Sequence, residues 1–158
     1  NEDSAADNAN APIERKVSSQ TNYVTAQGHA LLQAKVSELQ AEHAHETAKG
    51  DEADKQRLAD LDRDLRYFNQ RLLSAQVVAP ATSTQKVQIG SWVTFVDEHD
   101  NEQRVQLVGE DEADATKGLI NWGSPLGRAL LGAGPGDEVL WLRPAGDLQV
   151  EIVRVDPA

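Results

Sequence analysis

In Leu58-Ala59-Asp60-Leu61-Asp62-Arg63-Asp64-Leu65-Arg66-Tyr67-Phe68-Asn69-Gln70-Arg71-Leu72, large apolar side chains recur at Leu58, Leu61, Leu65, Phe68 and Leu72, alternately three and four residues apart. That spacing is the period of a left-handed coiled coil and predicts an amphipathic helix with one apolar seam. A second seam lies upstream at Leu32, Val36 and Leu39 and continues through His43 and Glu46. Residues 25–77 contain no proline, so the helical reading extends throughout apart from Lys49-Gly50-Asp51. There Gly50 is suited to end one helix in the left-handed conformation, with Asp51 to cap the next, and Thr25 to cap the first. Two amphipathic helices joined by so short a turn pack antiparallel. Each arm of about 24 residues projects roughly 35 Å at 1.5 Å per residue. The seam changes character along its length, from Leu, Val and Phe near the root to His43, Glu46, Asp51 and Asp54 at the turn. The distal end is therefore expected to be the less stable part.

Past residues 79–86 (APATSTQK), read as a linker, the pattern changes from period 3.6 to period 2. Trp92–Val96, Val105–Val108, Leu119–Trp122, Val139–Leu142 and Leu148–Val155 read as strands, separated by turn residues such as Glu98-His99-Asp100-Asn101. One short helix is expected at Leu126–Leu131, with Ser124 as N-cap, Pro125 in the first turn and Gly132 as terminator. The fold class is thus α+β: an antiparallel helical hairpin over 23–78, then a small β-sheet domain with one short helix over 87–158. Residues 1–22 are polar and nearly free of large apolar groups, which reads as a disordered tail.

The charge distribution narrows the function. Of the net −11, −8 falls within 87–158, where thirteen acids face five bases. A domain so acidic repels a phosphate backbone, so direct DNA or RNA binding is not expected, whereas a basic protein surface would be approached quickly. The chain has no cysteine, which excludes a disulfide framework, thiolate metal sites and a cysteine nucleophile. No apolar run reaches the length of a membrane span and no signal-peptide core is visible, so a cytoplasmic protein without a membrane partner is the expectation. His43 and His45 stand two apart on a helix and cannot face one metal together. No Ser-His-Asp arrangement or phosphate-binding glycine motif is evident.

The string Val108-Gly109-Glu110-Asp111-Glu112-Ala113-Asp114, followed by Ile120-Asn121-Trp122-Gly123-Ser124-Pro125-Leu126-Gly127-Arg128-Ala129-Leu130-Leu131-Gly132, resembles the C-terminal signature of the GreA/GreB transcription factors. Tyr23-Val24-Thr25-Ala26-Gln27-Gly28, Leu73-Ser74-Ala75-Gln76-Val77-Val78 and Ile89-Gly90-Ser91-Trp92-Val93 are similar to other parts of that family, in the same order, from about residue 23 to 155. The resemblance implies an FKBP-like C-terminal domain that docks at the secondary channel of bacterial RNA polymerase. Trp122, Ser124, Pro125, Leu126, Arg128, Asp111, Glu112 and Asp114 are the docking residues it implies. It also implies a coiled coil inside the channel, whose tip carboxylates, here Asp51, Glu52 and Asp54, help hold a catalytic Mg²⁺ in the polymerase's own active site. No cofactor or metal is expected in the protein alone.

The sequence departs from the family at the tip. Where the family pattern is Asp-x-x-Glu-Asn-Ala-Glu-Tyr, this chain reads Asp51-Glu52-Ala53-Asp54-Lys55-Gln56-Arg57-Leu58. Each arm is also about a heptad short, which would leave the tip about 10 Å further out. Asp51, Glu52 and Asp54 thus have two readings, as acids favoured at a helix N-terminus or as groups aimed at polymerase. The leading expectation is a non-enzymatic factor that modulates initiation or elongation by occupying the channel. The alternatives are a cleavage-stimulating factor using Asp51 and Asp54, an independent FKBP-like peptidyl-prolyl isomerase, and a coiled-coil adaptor unrelated to polymerase. Trp92, Trp122 and Trp141 read first as core residues, with Trp122 the one placed for an interface.

Overall fold

In the computed structural model the described residues are 12–158. They fall into two compact units: residues 30–74 with the segment ending at Ser19, and residues 20–29 with 75–158.

The first unit is the hairpin. Helix α1 runs Ala26–Thr47, its first turn belonging to the second unit, and helix α2 runs Lys55–Ser74. At 1.5 Å per residue they are about 33 Å and 30 Å long. His43 lies opposite Asp62 (Nε2 to Oδ1 2.9 Å), and Glu46 lies opposite Arg57 (3.7 Å). A step forward on one helix therefore meets a step back on the other, which fixes the antiparallel arrangement. Leu32, Val36, Leu39 and Leu61 are buried in the seam, while Leu58, Leu65, Phe68 and Leu72 are only half-buried. A two-helix seam has no third layer to close over it, so partial exposure there follows from the architecture.

The turn differs from expectation in one residue. Gly50 is left-handed (φ +60°), as the sequence suggests, but a 3₁₀ turn over Gly50–Glu52 follows it, and Asp54 rather than Asp51 caps α2. The Asp54 carboxylate accepts the backbone N–H of Arg57 at 3.0 Å. Three residues of turn move the helix start beyond Asp51, and the cap moves with it.

Residues 12–19 also depart from the disordered reading, since Glu14 and Arg15 pair with side chains of α2. Two ionic side chains and an aromatic partner offset the ordering of a segment poor in apolar groups. Residues 1–11 of the expected tail lie outside the described residues.

The second unit holds a five-stranded sheet of β3 (Trp92–Asp97), β4 (Glu102–Val108), β5 (Leu119–Asn121), β6 (Glu138–Trp141) and β7 (Leu148–Asp156), in the order β5-β4-β3-β7-β6. Only β4–β5 is parallel. Inward residues Val93, Phe95, Val105, Leu107, Val150, Ile152 and Val155 alternate with outward ones, and helix α3 (Pro125–Leu130) covers them with Leu126 and Leu130. Trp122 and Trp141 pack at the margin of this core, and Arg104 lies 4.4 Å from the ring of Trp92. Two further strands, β1 (Tyr23–Val24) and β2 (Gln76–Val77), pair in parallel with Tyr23 opposite Gln76.

The expected linker is folded onto this unit. Ala81 is buried and its carbonyl accepts the N–H of Ala158 at 3.0 Å, while the Gln88 side chain accepts from Thr82 and Ser83. Small side chains allow that close packing, whereas composition alone had suggested only polarity.

The burial pattern ranks the seam leucines. Leu61→Ala should destabilise the hairpin by about 2–4 kcal/mol, as expected for a buried leucine, and Leu65→Ala by clearly less. Urea unfolding followed by helical circular dichroism measures both, and equal losses would contradict the ranking.

Candidate functional site

The hairpin tip places its three carboxylates differently. Asp51 and Glu52 are exposed on the 3₁₀ turn, and Asp54 is engaged as the cap of α2. From Lys49 to Arg57 these three acids are balanced by Lys49, Lys55 and Arg57. Glu46 shares Lys49 and Arg57 with them, so the run from Glu46 to Arg57 carries a net charge of only −1, and so small an excess attracts a divalent cation weakly. Among the described residues no group of three metal-ligating side chains comes together.

Behind the turn lies a charge that the helical spacing already set in the seam. Glu46 is 3 % exposed, with its carboxylate 2.9 Å from Lys49 Nζ and 3.7 Å from Arg57 Nε. Arg57 also reaches Glu42 at 3.6 Å. The hydrogen bond from Lys49 holds the Glu46 carboxyl below its ordinary 4.5, against the opposing effect of burial, and the Asp54 backbone N–H adds to the lowering. A buried carboxylate is tolerated where cations pair with it. His43 bonds across to Asp62 while Thr47 Oγ1 lies 3.4 Å from its other nitrogen, so its place is structural.

In the sheet unit, the residues expected to dock separate into local builders and exposed groups. Ser124 caps α3 by accepting the N–H of Gly127 at 3.1 Å, and Pro125 occupies its first turn. Leu126 is 6 % exposed and belongs to the core, so it supports the helix from behind and offers no contact. Trp122 is likewise half-buried, tilted against Tyr23 with ring centroids 5.4 Å apart, and its Nε1 is shielded from solvent. Both are apolar side chains beside a hydrophobic core, which draws them inward.

The acidic run is largely consumed by local structure. A 3₁₀ turn over Glu110–Glu112 follows Gly109, and Glu112 accepts the Thr25 hydroxyl at 2.7 Å. Thr25 Oγ1 in turn accepts the N–H of Gly28, so Glu112 sits over the first turn of α1, where the helix favours a negative charge. A Cβ at Gly28 would stand 2.6 Å from that carboxylate, so a larger residue there would push the Glu112 side chain aside. Asp114 caps the turn Ala115–Lys117, and its bonds from the Thr116 hydroxyl (2.6 Å) and N–H (3.1 Å) hold its carboxyl below the ordinary range. Asp111 is half-buried.

What remains outward is a shallow groove formed by Gly123, Pro125, Arg128, Ala129, Leu140 and Leu142. Arg128, Leu140 and Leu142 are exposed, the leucines by 52 % and 56 %. Leu140 and Leu142 were not singled out from sequence, yet a signal existed. Val139-Leu140-Trp141-Leu142 is apolar at every position, whereas a half-solvated strand alternates. Such a run gives the strand a second apolar face, and apolar surface left open marks a contact.

The C-terminal domain family "Transcription elongation factor, GreA/GreB, C-term" matches residues 82–157. A transcription elongation factor GreA from Sphingopyxis alaskensis is 34 % identical over 146 residues, covering 83 % of this chain and 92 % of that protein. A GreB from Neisseria meningitidis is 38 % identical over 104 residues, covering 65 % of this chain and 64 % of the relative. The chain therefore spans just under two thirds of the Neisseria protein. Among solved structures, a GreA/GreB from Nitrosomonas europaea is 26 % identical with a TM-score of 0.42, covering 85 % of this chain and 98 % of that one. Gfh1 of Thermus thermophilus is 22 % identical with a TM-score of 0.42, covering 86 % and 99 %.

Two outcomes follow from this geometry. A folded-state carboxyl below its unfolded value stabilises fully above the unfolded pKa and loses that contribution as pH falls through the folded one. Glu46→Gln should therefore be less stable than the parent at neutral pH, with the gap closing as pH drops below the ordinary 4.5. Urea unfolding across pH reads this, and a gap independent of pH would assign Glu46 a purely steric role. At Gly127 a Cβ would lie 2.4 Å from the carbonyl oxygens of Asn121 and Trp122. Gly127→Ala should thus destabilise the sheet unit by more than about 2 kcal/mol, where an ordinary helical Gly→Ala gains about 1. Thermal unfolding followed by tryptophan emission decides between the two.

Proposed function

Because the chain belongs to the GreA/GreB family of transcription elongation factors, we propose that it binds bacterial RNA polymerase at the secondary channel and modulates transcription by occupying that channel. The sheet unit does the docking. Its exposed groove offers two leucines, Pro125 and the cation Arg128 on a rigid capped helix, a combination suited to a protein surface. The unit's net negative charge favours a basic surface around the contact and a fast, salt-sensitive association.

The observation that carries the occupancy reading is the state of the tip. Asp54 is held by the backbone of α2, and the run from Glu46 to Arg57 carries a net charge of only −1. A group that supports a second metal ion must lend it a ligand oxygen at about 2.1 Å and must bring uncompensated charge. The tip is poor in both respects. Stimulation of the polymerase's own RNA cleavage is accordingly the secondary reading, and Asp51 and Glu52 are the two carboxylates left free to serve it.

Capture on immobilised core RNA polymerase should retain the full chain, with binding that weakens as salt rises. Arg128→Glu with Leu140→Asp should weaken it at least about tenfold, the loss of roughly 1.4 kcal/mol expected for a docking groove. On a stalled, backtracked complex, Asp51→Ala with Glu52→Ala should leave the effect on transcription intact. Strong transcript cleavage by the parent chain that disappears in this variant would move the assignment to metal-assisted cleavage. No capture at all would remove polymerase as the partner.

A further inference from the structure

The segment before the hairpin makes contacts that neither the coiled coil nor polymerase docking requires. Arg66 on α2 receives the Glu14 carboxylate in a forked arrangement, with Nε 3.0 Å from one oxygen and 3.1 Å from the other, and with Nη2 also within bonding distance. The next residue, Arg15, stacks its guanidinium 4.0 Å from the Tyr67 ring centre and 4.9 Å from that of Phe68. Its Nη1 lies 3.4 Å from Asp64. The two rings meet edge to face at 4.9 Å, and Arg63 fixes the Asp64 carboxylate at 3.1 Å, so the receiving groups hold one another in place.

We propose that Asp64, Arg66, Tyr67 and Phe68 form a binding site on α2 for an extended peptide carrying adjacent Glu and Arg, and that residues 12–17 of the chain are its resident occupant. The recognition is specific in its chemistry. A planar guanidinium takes a carboxylate through two parallel bonds, and a guanidinium, unlike an ammonium, both stacks on a ring and bonds a carboxylate in the same pose. Reversing the order of the two charges would set like against like at both positions. The bond from Arg66 holds the Glu14 carboxyl low, in keeping with a charged pair. Each contact is solvent-exposed and individually weak, but the covalent tether supplies a high effective concentration that keeps the site filled. The occupant presents Ile13 outward at 90 % exposure, so the filled site also offers an apolar group that the hairpin alone lacks there.

The test requires no polymerase and is independent of the docking reading. The protein is exposed to limiting thermolysin, which cuts on the amino side of apolar residues and so gains no site in any of the variants, and cleavage of the Lys16–Val17 bond is followed by mass spectrometry. A seated segment is cut only when it opens, so Arg66→Glu should accelerate cutting about tenfold, and the charge-exchanged pair Glu14→Arg with Arg66→Glu should return it to within about twofold of the parent. Arg15→Lys should accelerate it as well, since an ammonium keeps the charge and loses the stacked fork. Cutting of the parent as fast as Arg66→Glu, or no recovery in the exchanged pair, would overturn the proposal.

Discussion

Two backbone hydrogen bonds fix where the stretch from residue 25 to residue 75 begins and ends. Gln76 N–H donates to Asn22 at 2.8 Å and Val78 N–H to Val24 at 2.9 Å, closing the parallel pair β1–β2. The chain therefore leaves and returns at adjacent points, and everything between must be an excursion that comes back. Two helices of 22 and 20 residues meet that condition only if they run antiparallel and their turn falls at the midpoint. The seam leucines then determine which faces meet. Loop closure over some fifty residues is entropically unfavourable, and the buried seam offsets it.

The same condition explains the tip. With the apolar seam ending at Leu39 and Leu58, the last turns have no hydrophobic partner, and pairing there falls to Glu46, Lys49 and Arg57. Ionic pairing holds a turn together without a core, but it uses up the charge a metal-directed tip would need free. Structural economy and metal recruitment compete for the same residues, and in this sequence the structural demand takes Asp54 together with Lys49 and Arg57.

Much of this was legible before any coordinates. The 3,4 spacing of Leu58, Leu61, Leu65, Phe68 and Leu72 gave the hairpin because helical periodicity depends only on which residues are apolar. The strands and the Ser124-Pro125 cap were visible for similar local reasons. The departures arose where long-range partners decide. Asp54 became the cap because the turn took a 3₁₀ form, which no residue in Gly50-Asp51-Glu52 dictates. Residues 12–19 read as tail because their partners, Arg66 and Tyr67, lie some fifty positions away. Leu126 and Trp122 belong to a family signature, and a signature does not say whether a residue serves a surface from the front or from behind. Leu140 was overlooked because a wholly apolar strand reads as core, although here one of its faces is open.

All three tryptophans, Trp92, Trp122 and Trp141, belong to the sheet unit, and the hairpin has none. Helical ellipticity comes chiefly from α1 and α2, since α3 contributes only six residues. Indole emission and helical signal are therefore separate reporters built into one chain, each blind to most of what the other sees. Coincident denaturation curves would mean the two units melt as one cooperative block, and separated curves would give each unit its own free energy without cutting the polypeptide.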